Sequence, residues 1–237
     1  MNKVFLISFF LVFTAVSPLS GAGKDSPLLD YDFSAHEVIR ERSREYPQFA
    51  QNPVITVPER ALLLDGKNFI TVPGGEKIFF RKELTLYALV KFLPRKDPRG
   101  KEDPLDMIFF RNNHLLLGRN GKRLYFNLGD GKKYRMSTYG EEIPLHSYCQ
   151  LAATVRQETN GLYEVKLFIN GTGKAHRRIR SAELGAQMGK QPLFIGKGWG
   201  KAWNFTGILI KVQIRDRAMT EKEIAEDFLK IKKKYFK

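Results

Sequence analysis

The chain has 237 residues, 43% of them hydrophobic, and 40 Lys and Arg stand against 25 Asp and Glu for a formal net charge of +15. That is enough apolar material for one core of the larger all-β kind without covalent staples, and a lone Cys149 excludes an internal disulfide framework. Four scattered His and one Cys offer no zinc spacing, so no metal is expected from that source. The cation excess attracts polyanions such as acidic or sulfated polysaccharide, anionic envelope polymers or nucleic acid without a specific sequence; the bland alternative is a solvated basic surface with no ligand.

Residues 1–22 read as a secretory signal peptide. Lys3 supplies a positive start, Val4–Val16 is an apolar run broken only by Ser8 and Thr14, and Ser20-Gly21-Ala22 offers small side chains to a peptidase. The run is 13 residues, short of the roughly 20 that cross a bilayer. The expectation is export with cleavage, to a secreted, periplasmic or otherwise extracytoplasmic location, with no membrane span. Residues 23–60 form a less regular lead-in. Within it Leu28–Phe33 suggests a first edge strand, His36–Tyr46 is a charged stretch, and Pro47, Pro53 and Pro58 punctuate the approach to the domain.

From Ala61 the period is two. Leu84, Leu86, Ala88, Val90 and Phe92 alternate with Thr85, Tyr87, Leu89 and Lys91; Val165, Leu167 and Ile169 alternate with Glu164, Lys166 and Phe168. Ile208, Ile210, Val212 and Ile214 alternate with Leu209, Lys211, Gln213 and Arg215, which predicts that each set keeps to one face. Shorter runs at 107–111, 114–119, 123–128, 134–138, 148–156 and 174–180 are separated by Asn112-Asn113, Asn120-Gly121, Asp130-Gly131, Asn160-Gly161 and Asn170-Gly171. These pairs tolerate positive φ in tight hairpins. About a dozen such strands predict an all-β, two-sheet antiparallel sandwich, with the polar loop Pro94–Pro104 at a rim. Residues 61–237 make one domain, closed by a helix over 221–235. Thr220 and Glu223 form its capping box, and Ile224, Phe228, Ile231 and Tyr235 its apolar stripe. Lys230, Lys232, Lys233 and Lys234 crowd its last turn, where cations meet the negative end of the dipole. A basic amphipathic helix of this kind either lies on a membrane surface or docks on the sandwich, and docking is the simpler use of the stripe.

No catalytic set emerges. Glycoside hydrolysis needs two carboxylates about 5–5.5 Å apart in retaining enzymes, and on a strand they would occupy alternate positions. Glu141-Glu142 are adjacent and diverge, Glu102-Asp103 sit in the polar loop, and Glu221, Glu223, Glu226 and Asp227 belong to the helix. Neither a Gly-x-Ser-x-Gly elbow nor a phosphate loop occurs. Cys149 sits in an apolar strand, and His146, three residues away, would face the opposite side, so buried filler is the reading. The best binding candidate is the loop after Pro192-Leu193-Phe194-Ile195. There Lys197, Trp199, Lys201, Trp203 and Asn204 bring both tryptophans of the chain within five residues. Aromatic faces stack on sugars and Lys reaches acidic substituents; alternatively one Trp only anchors the loop to the core. Tyr134, Arg135 and Tyr139 would add to such a surface. Asn170-Gly171-Thr172 and Asn204-Phe205-Thr206 are glycosylation sequons only in a eukaryotic host.

The order of landmarks resembles a LamG-like jelly-roll domain of the concanavalin A-like lectin/glucanase superfamily, over residues 61–225. They are Ala61–Pro73, Leu167–Gly171, Pro192–Gly196, Phe205-Thr206-Gly207 and Arg217–Thr220. The family motif W-x-x-L-A-x-T is met by Tyr148-Cys149-Gln150-Leu151-Ala152-Ala153-Thr154, with Tyr148 in the Trp place. Where relatives read G-x-I-D-E-V, this chain has Gly207-Ile208-Leu209-Ile210-Lys211-Val212, so Ile210 and Lys211 replace an acidic pair. The resemblance implies a jelly-roll scaffold used chiefly for binding. Calcium-binding relatives use rim carboxylates; here Asp130 is the one ligand on offer, and Asp130-Gly131 is equally a plain turn. No cofactor is expected and calcium lacks support. The expectation is an exported, non-catalytic carbohydrate-binding or adhesion module for an acidic or extracellular polysaccharide. The alternatives are a structural or protein-interaction domain of the cell envelope and a degenerate glycoside hydrolase or lyase. The sequence does not determine an oligomeric state.

Overall fold

The alternating segments pair as antiparallel strands. In this computed structural model the described residues are 27–33, 61–78, 82–94, 105–145, 147–180, 191–200 and 203–235. The signal-like segment, residues 34–60 of the lead-in, residues 95–104 of the polar loop, His146 and Lys201 lie outside them, as do the side chains of Lys234 and Tyr235. In chain order the strands are β1 (Leu29–Asp32), β2 (Leu62–Asp65), β3 (Ile70–Thr71), β4 (Glu83–Phe92), β5 (Asp106–Arg111), β6 (Leu115–Asn120) and β7 (Arg123–Gly129). Then follow β8 (Tyr134–Glu142), β9 (Tyr148–Gln157), β10 (Leu162–Ile169), β11 (Thr172–Arg180), β12 (Phe194–Ile195) and β13 (Thr206–Arg215), and the helix α1 (Glu221–Tyr235). The larger, seven-stranded sheet runs β1-β13-β4-β9-β10-β11, with β2 sharing the β13 edge that β1 also uses; the smaller, six-stranded sheet runs β3-β12-β5-β6-β7-β8.

The expected turn residues do what their chemistry allows. Asn113 and Asn170 have φ of 57° and 52°, and Gly121, Gly131, Gly161 and Gly171 are all positive. Gly171 has a second reason to lack a side chain, because a Cβ there would stand 3.1 Å from Phe228 of α1.

The core lies between the sheets. Leu84, Leu86, Ala88, Val90 and Phe92 of β4, with Cys149, Leu151, Ala153 and Val155 of β9, meet Phe109, Leu117, Leu124, Phe126 and Leu128 of the smaller sheet. Burial pushes the Cys149 thiol pKa well up, the behaviour of packing filler and not of a nucleophile. Near one end of this core Asp106 Oδ2 lies 2.7 Å from Arg119 Nε, both side chains fully buried, and the guanidinium carbon sits 5.2 Å from the Phe92 ring centroid.

The simple alternation expected in β13 fails at one point. The register with β4 shifts between Leu209 and Lys211, leaving Ile210 as the extra residue of a bulge. Leu209, Val212 and Ile214 therefore face the core, whereas Ile208 and Ile210 join Ala61, Leu89 and Tyr148 on the outer face. A one-residue bulge reverses which side every later residue faces, and no sequence period reveals it.

That outer face is roofed by α1, so the docked alternative for the helix is the one observed. Ile224 is buried with Tyr87, Ala152, Phe168 and Met219, and Ile231 packs on the Ile208 group. Thr220 N donates to Glu223 Oε2 at 2.7 Å and Glu223 N to Thr220 Oγ1 at 3.2 Å, a reciprocal cap. Gln150, fully buried on β9, ties three elements together. Its Nε2 donates to the Ile224 carbonyl at 3.0 Å, its Oε1 accepts from Gly171 N at 2.7 Å, and its backbone N donates to Asn170 Oδ1 at 2.9 Å.

Gln150→Leu is expected to lower stability by about 1–3 kcal/mol in chemical denaturation, because it orphans the Gly171 N–H under the helix and removes the bond that ties β9 to the Ile224 carbonyl. Asp106→Ala should cost more, about 3–5 kcal/mol, by removing the carboxylate against which the buried Arg119 guanidinium is held. The double change Asp106→Leu with Arg119→Met should recover much of that loss in the same measurement.

Candidate functional site

Residues of both strand phases are apolar in the smaller sheet, so its outer face is apolar as well. Phe109 faces the core and Phe110 outward, while Leu115 and Leu117 flank the outward Leu116, and Leu124 and Phe126 flank the outward Tyr125. The outer set is Met107, Phe110, Leu116 and Tyr125, with Leu105, Tyr134 and Phe194 packed against them. No helix among the described residues covers this face. The loop between β12 and β13 covers part of it instead.

That loop is built by backbone closure. Gly196 N donates to Ile108 O at 2.8 Å, and Phe205 N to Gly196 O at 2.9 Å, which joins the two ends of the loop. Trp203 N donates to Gly200 O at 2.9 Å, making a turn at the tip. Gly198 is needed for the close approach of the two arms, since a Cβ there would lie 2.5 Å from the Trp203 carbonyl oxygen. Asn204 completes the clamp. Its Oδ1 accepts from Gly198 N at 3.0 Å and its Nδ2 donates to Gly66 O at 2.9 Å, with the residue only 4% exposed.

Trp199 is 39% exposed and Trp203 38%, and their rings meet edge to face with centroids 5.5 Å apart. Trp199 also stands 5.5 Å from Phe110 and 5.5 Å from Tyr134, at 78° and 90°. Tyr134 is itself pinned, its hydroxyl donating to Arg111 O at 3.2 Å, and burial pushes its pKa upward. Lys197 Nζ lies over Phe194 and Phe69, 3.9 and 4.7 Å from the ring centroids. Each indole thus keeps part of its surface exposed, while Trp199 also rests on the sheet.

Of the residues expected at the site, Lys197, Trp199 and Trp203 come together on this face. Lys201 lies outside the described residues. Asn204 is corrected from ligand contact to loop clamp, because both ends of its amide are engaged internally. The same burial leaves its sequon inaccessible in the folded chain. Tyr139 is exposed and paired with Tyr125, ring centroids 4.7 Å apart. Tyr125, Phe110, Phe194 and Phe69 were not anticipated. The signal that could have found them is apolar residues on both phases of β5, β6 and β7, which marks a face needing a cover.

Asp130 is held by its turn. Its Oδ1 accepts from Lys133 N and Lys132 N, each at 2.9 Å, and its Oδ2 is paired with the Arg135 guanidinium. The Lys133 N–H first, then Lys132 and Arg135, hold its pKa well below the usual carboxylate range. Arg135 is thereby committed to Asp130. Among the described residues no three His, Cys, Asp or Glu converge as a metal site.

No curated protein matches the chain. Among solved structures it is similar in fold to a Ruminococcus gnavus IT-sialidase CBM40 bound to α2,3 sialyllactose, at 13% identity and a TM-score of 0.54 over 71% of this chain and 95% of that one. The same sialidase module, in a second structure, gives 12% identity and a TM-score of 0.52 over 71% and 96%. Domain 4 of a GH43 extracellular arabinanase from Geobacillus stearothermophilus, in complex with arabinotriose, follows at 16% identity and a TM-score of 0.49 over 73% and 78%. At these identities the first two likenesses speak for the fold alone. The sequence itself matches the Laminin_G_3 family over residues 65–225, and with two antiparallel sheets closed by a helix this chain belongs to that family of the concanavalin A-like lectin/glucanases superfamily.

Proposed function

We propose that this chain is an exported, non-catalytic carbohydrate-binding module whose ligand is an acidic extracellular polysaccharide, held at the loop between β12 and β13. The observation that carries the reading is the Trp199–Trp203 pair, two part-exposed indoles set on an aromatic floor. A contiguous aromatic patch left part-exposed on a protein surface marks an interaction site, and indole surfaces suit the C–H faces of sugars. The Gly196–Phe205 closure and the Asn204 clamp set these rings before any ligand arrives, which lowers the ordering cost of binding.

The acidic character of the ligand follows from charge. Lys197 stands at this face and the whole chain carries +15, a field that concentrates polyanions. The superfamily supplies the scaffold, and the sialidase module of similar fold was solved with a sialylated sugar. A non-catalytic role fits the carboxylates near the face: Asp130 is tied to Arg135, and Glu141 Oε2 lies 2.8 Å from Lys174 Nζ. The reading calls for no metal.

Screening wild type and Trp199→Ala against neutral, carboxylated and sulfated glycans tests this. Wild-type binding to acidic glycans is expected to weaken steeply between low and physiological salt, where the screening length is about 8 Å. Trp199→Ala should weaken binding roughly tenfold at fixed salt, because ring contact is short-ranged and unscreened. Salt-insensitive binding would remove the electrostatic part, and unchanged affinity in a folded variant would remove the loop. Binding to no glycan would favour an envelope interaction domain, and release of products from the oligosaccharides would restore the hydrolase or lyase alternative.

A further inference from the structure

We propose that the outer face of the smaller sheet carries a second sugar subsite at Tyr125, Asn127 and Tyr139, so that the ligand is a run of several sugars and not a single terminal one. This rests on the reading of Trp199 and Trp203 as the first subsite.

One amide-bearing, one hydroxyl-bearing and two ring-bearing positions meet here by register. Tyr125 pairs with Tyr139 and Asn127 with Ser137 across β7 and β8, so all four share the outer face. Asn127 is 3% exposed, and its Nδ2 donates to the Tyr125 hydroxyl at 2.8 Å. Its Oδ1 is buried with no hydrogen-bond partner. A buried acceptor in that state is costly and rare in a folded protein. The Tyr125 hydroxyl, having accepted from Asn127, still has its own proton to give. Turning the amide over exchanges the roles but leaves the same vacancy, one donor and one acceptor side by side. A sugar hydroxyl donates and accepts at once, so its chemistry matches that of the Tyr125–Asn127 pair at the base of this face.

Tyr139 supplies the stacking surface beside this pair. It is 41% exposed, yet its ring is set in place from three directions. Tyr125 packs 4.7 Å away, Asn120 Nδ2 donates to its hydroxyl at 3.1 Å, and the Arg123 guanidinium carbon lies 5.6 Å from its centroid. An exposed ring with so little freedom is ready to stack without further ordering. The Arg123 guanidinium is engaged by the Gly140 carbonyl, which accepts from its Nε at 3.0 Å, and by the Tyr139 ring, so this subsite offers a ring and hydroxyl partners where the tryptophan loop adds Lys197.

The separation of the two subsites gives the ligand its length. Trp199 stands on Tyr134 at one end of β8, and Tyr139 lies five residues along the same strand. At ~3.3 Å per residue that is about 16 Å, more than one pyranose ring spans. The Tyr134, Tyr125 and Tyr139 rings line the route between them.

The test uses calorimetric titration of the whole protein with size-defined ladders of polygalacturonate, hyaluronan and heparin fragments. Wild type, Tyr139→Ala, Tyr125→Phe and Trp199→Ala are compared, with circular dichroism confirming that each variant is folded. Affinity of the wild type is expected to rise with fragment length until both subsites are filled. Tyr139→Ala should lose about tenfold for the longer fragments, the worth of one ring contact, and nothing for the shortest that binds. Tyr125→Phe, which removes only an oxygen, should follow it in direction, whereas Trp199→Ala weakens every length. Length-independent affinity, or wild-type affinity of Tyr139→Ala for the long fragments, would overturn the second subsite and leave the first standing. No binding by wild type to any ladder, or an unaffected Trp199→Ala, would overturn the reading beneath it as well.

Discussion

A sheet whose strands are apolar on both faces must be covered twice, and that requirement organises this molecule. The larger sheet meets it with the opposite sheet on one side and α1 on the other. β4 shows the demand most plainly: Leu84, Leu86, Ala88 and Val90 enter the core, while Tyr87 and Leu89 lie under the outer cover. The bulge at Ile210 serves the same end. It lets β13 feed Ile208 and Ile210 to the outer cluster and Val212 and Ile214 to the core, so one strand contributes to both apolar layers.

Among the described residues the smaller sheet is fully covered on one side and only partly on the other. Its outer face holds Met107, Phe110, Leu116 and Tyr125, and what covers them is a loop that leaves two tryptophans part-exposed. The contrast between the two outer faces is the physical basis for placing function on the second. A helix seals the first through a cap and a stripe of aliphatic contacts. The second ends in aromatic rings, which satisfy the sheet beneath and still offer surface to a ligand.

Three buried amides hold this arrangement, and they differ in how completely they are satisfied. Gln150 and Asn204 use both ends of their side chains within the protein, one to seat the helix and the other to clamp the tryptophan loop. Asn127, on the face itself, has one end engaged and one free. Buried polar groups are normally paired because the desolvation cost is otherwise uncompensated. The two structural amides obey that rule, and the incomplete one lies on the aromatic face.

The sequence by itself determined the fold class, the strand boundaries to within a few residues, the turn chemistry and the capped helix. Those are local matters: period-two alternation, Asn-Gly pairs and a Thr-x-x-Glu box are settled by a residue and its near neighbours. It also singled out the tryptophan loop, because two indoles within five residues are visible in one dimension. Tertiary structure alone decided three things. It reversed part of β13 through a bulge whose cause is pairing with β4 and β2. It turned Asn204 inward, since the partner that fixes it, Gly66, is 138 residues away along the chain. And it placed Tyr125, Asn127 and Tyr139 beside one another, because cross-strand register, which carries no mark in the sequence of either strand, sets which side chains on a sheet face become neighbours.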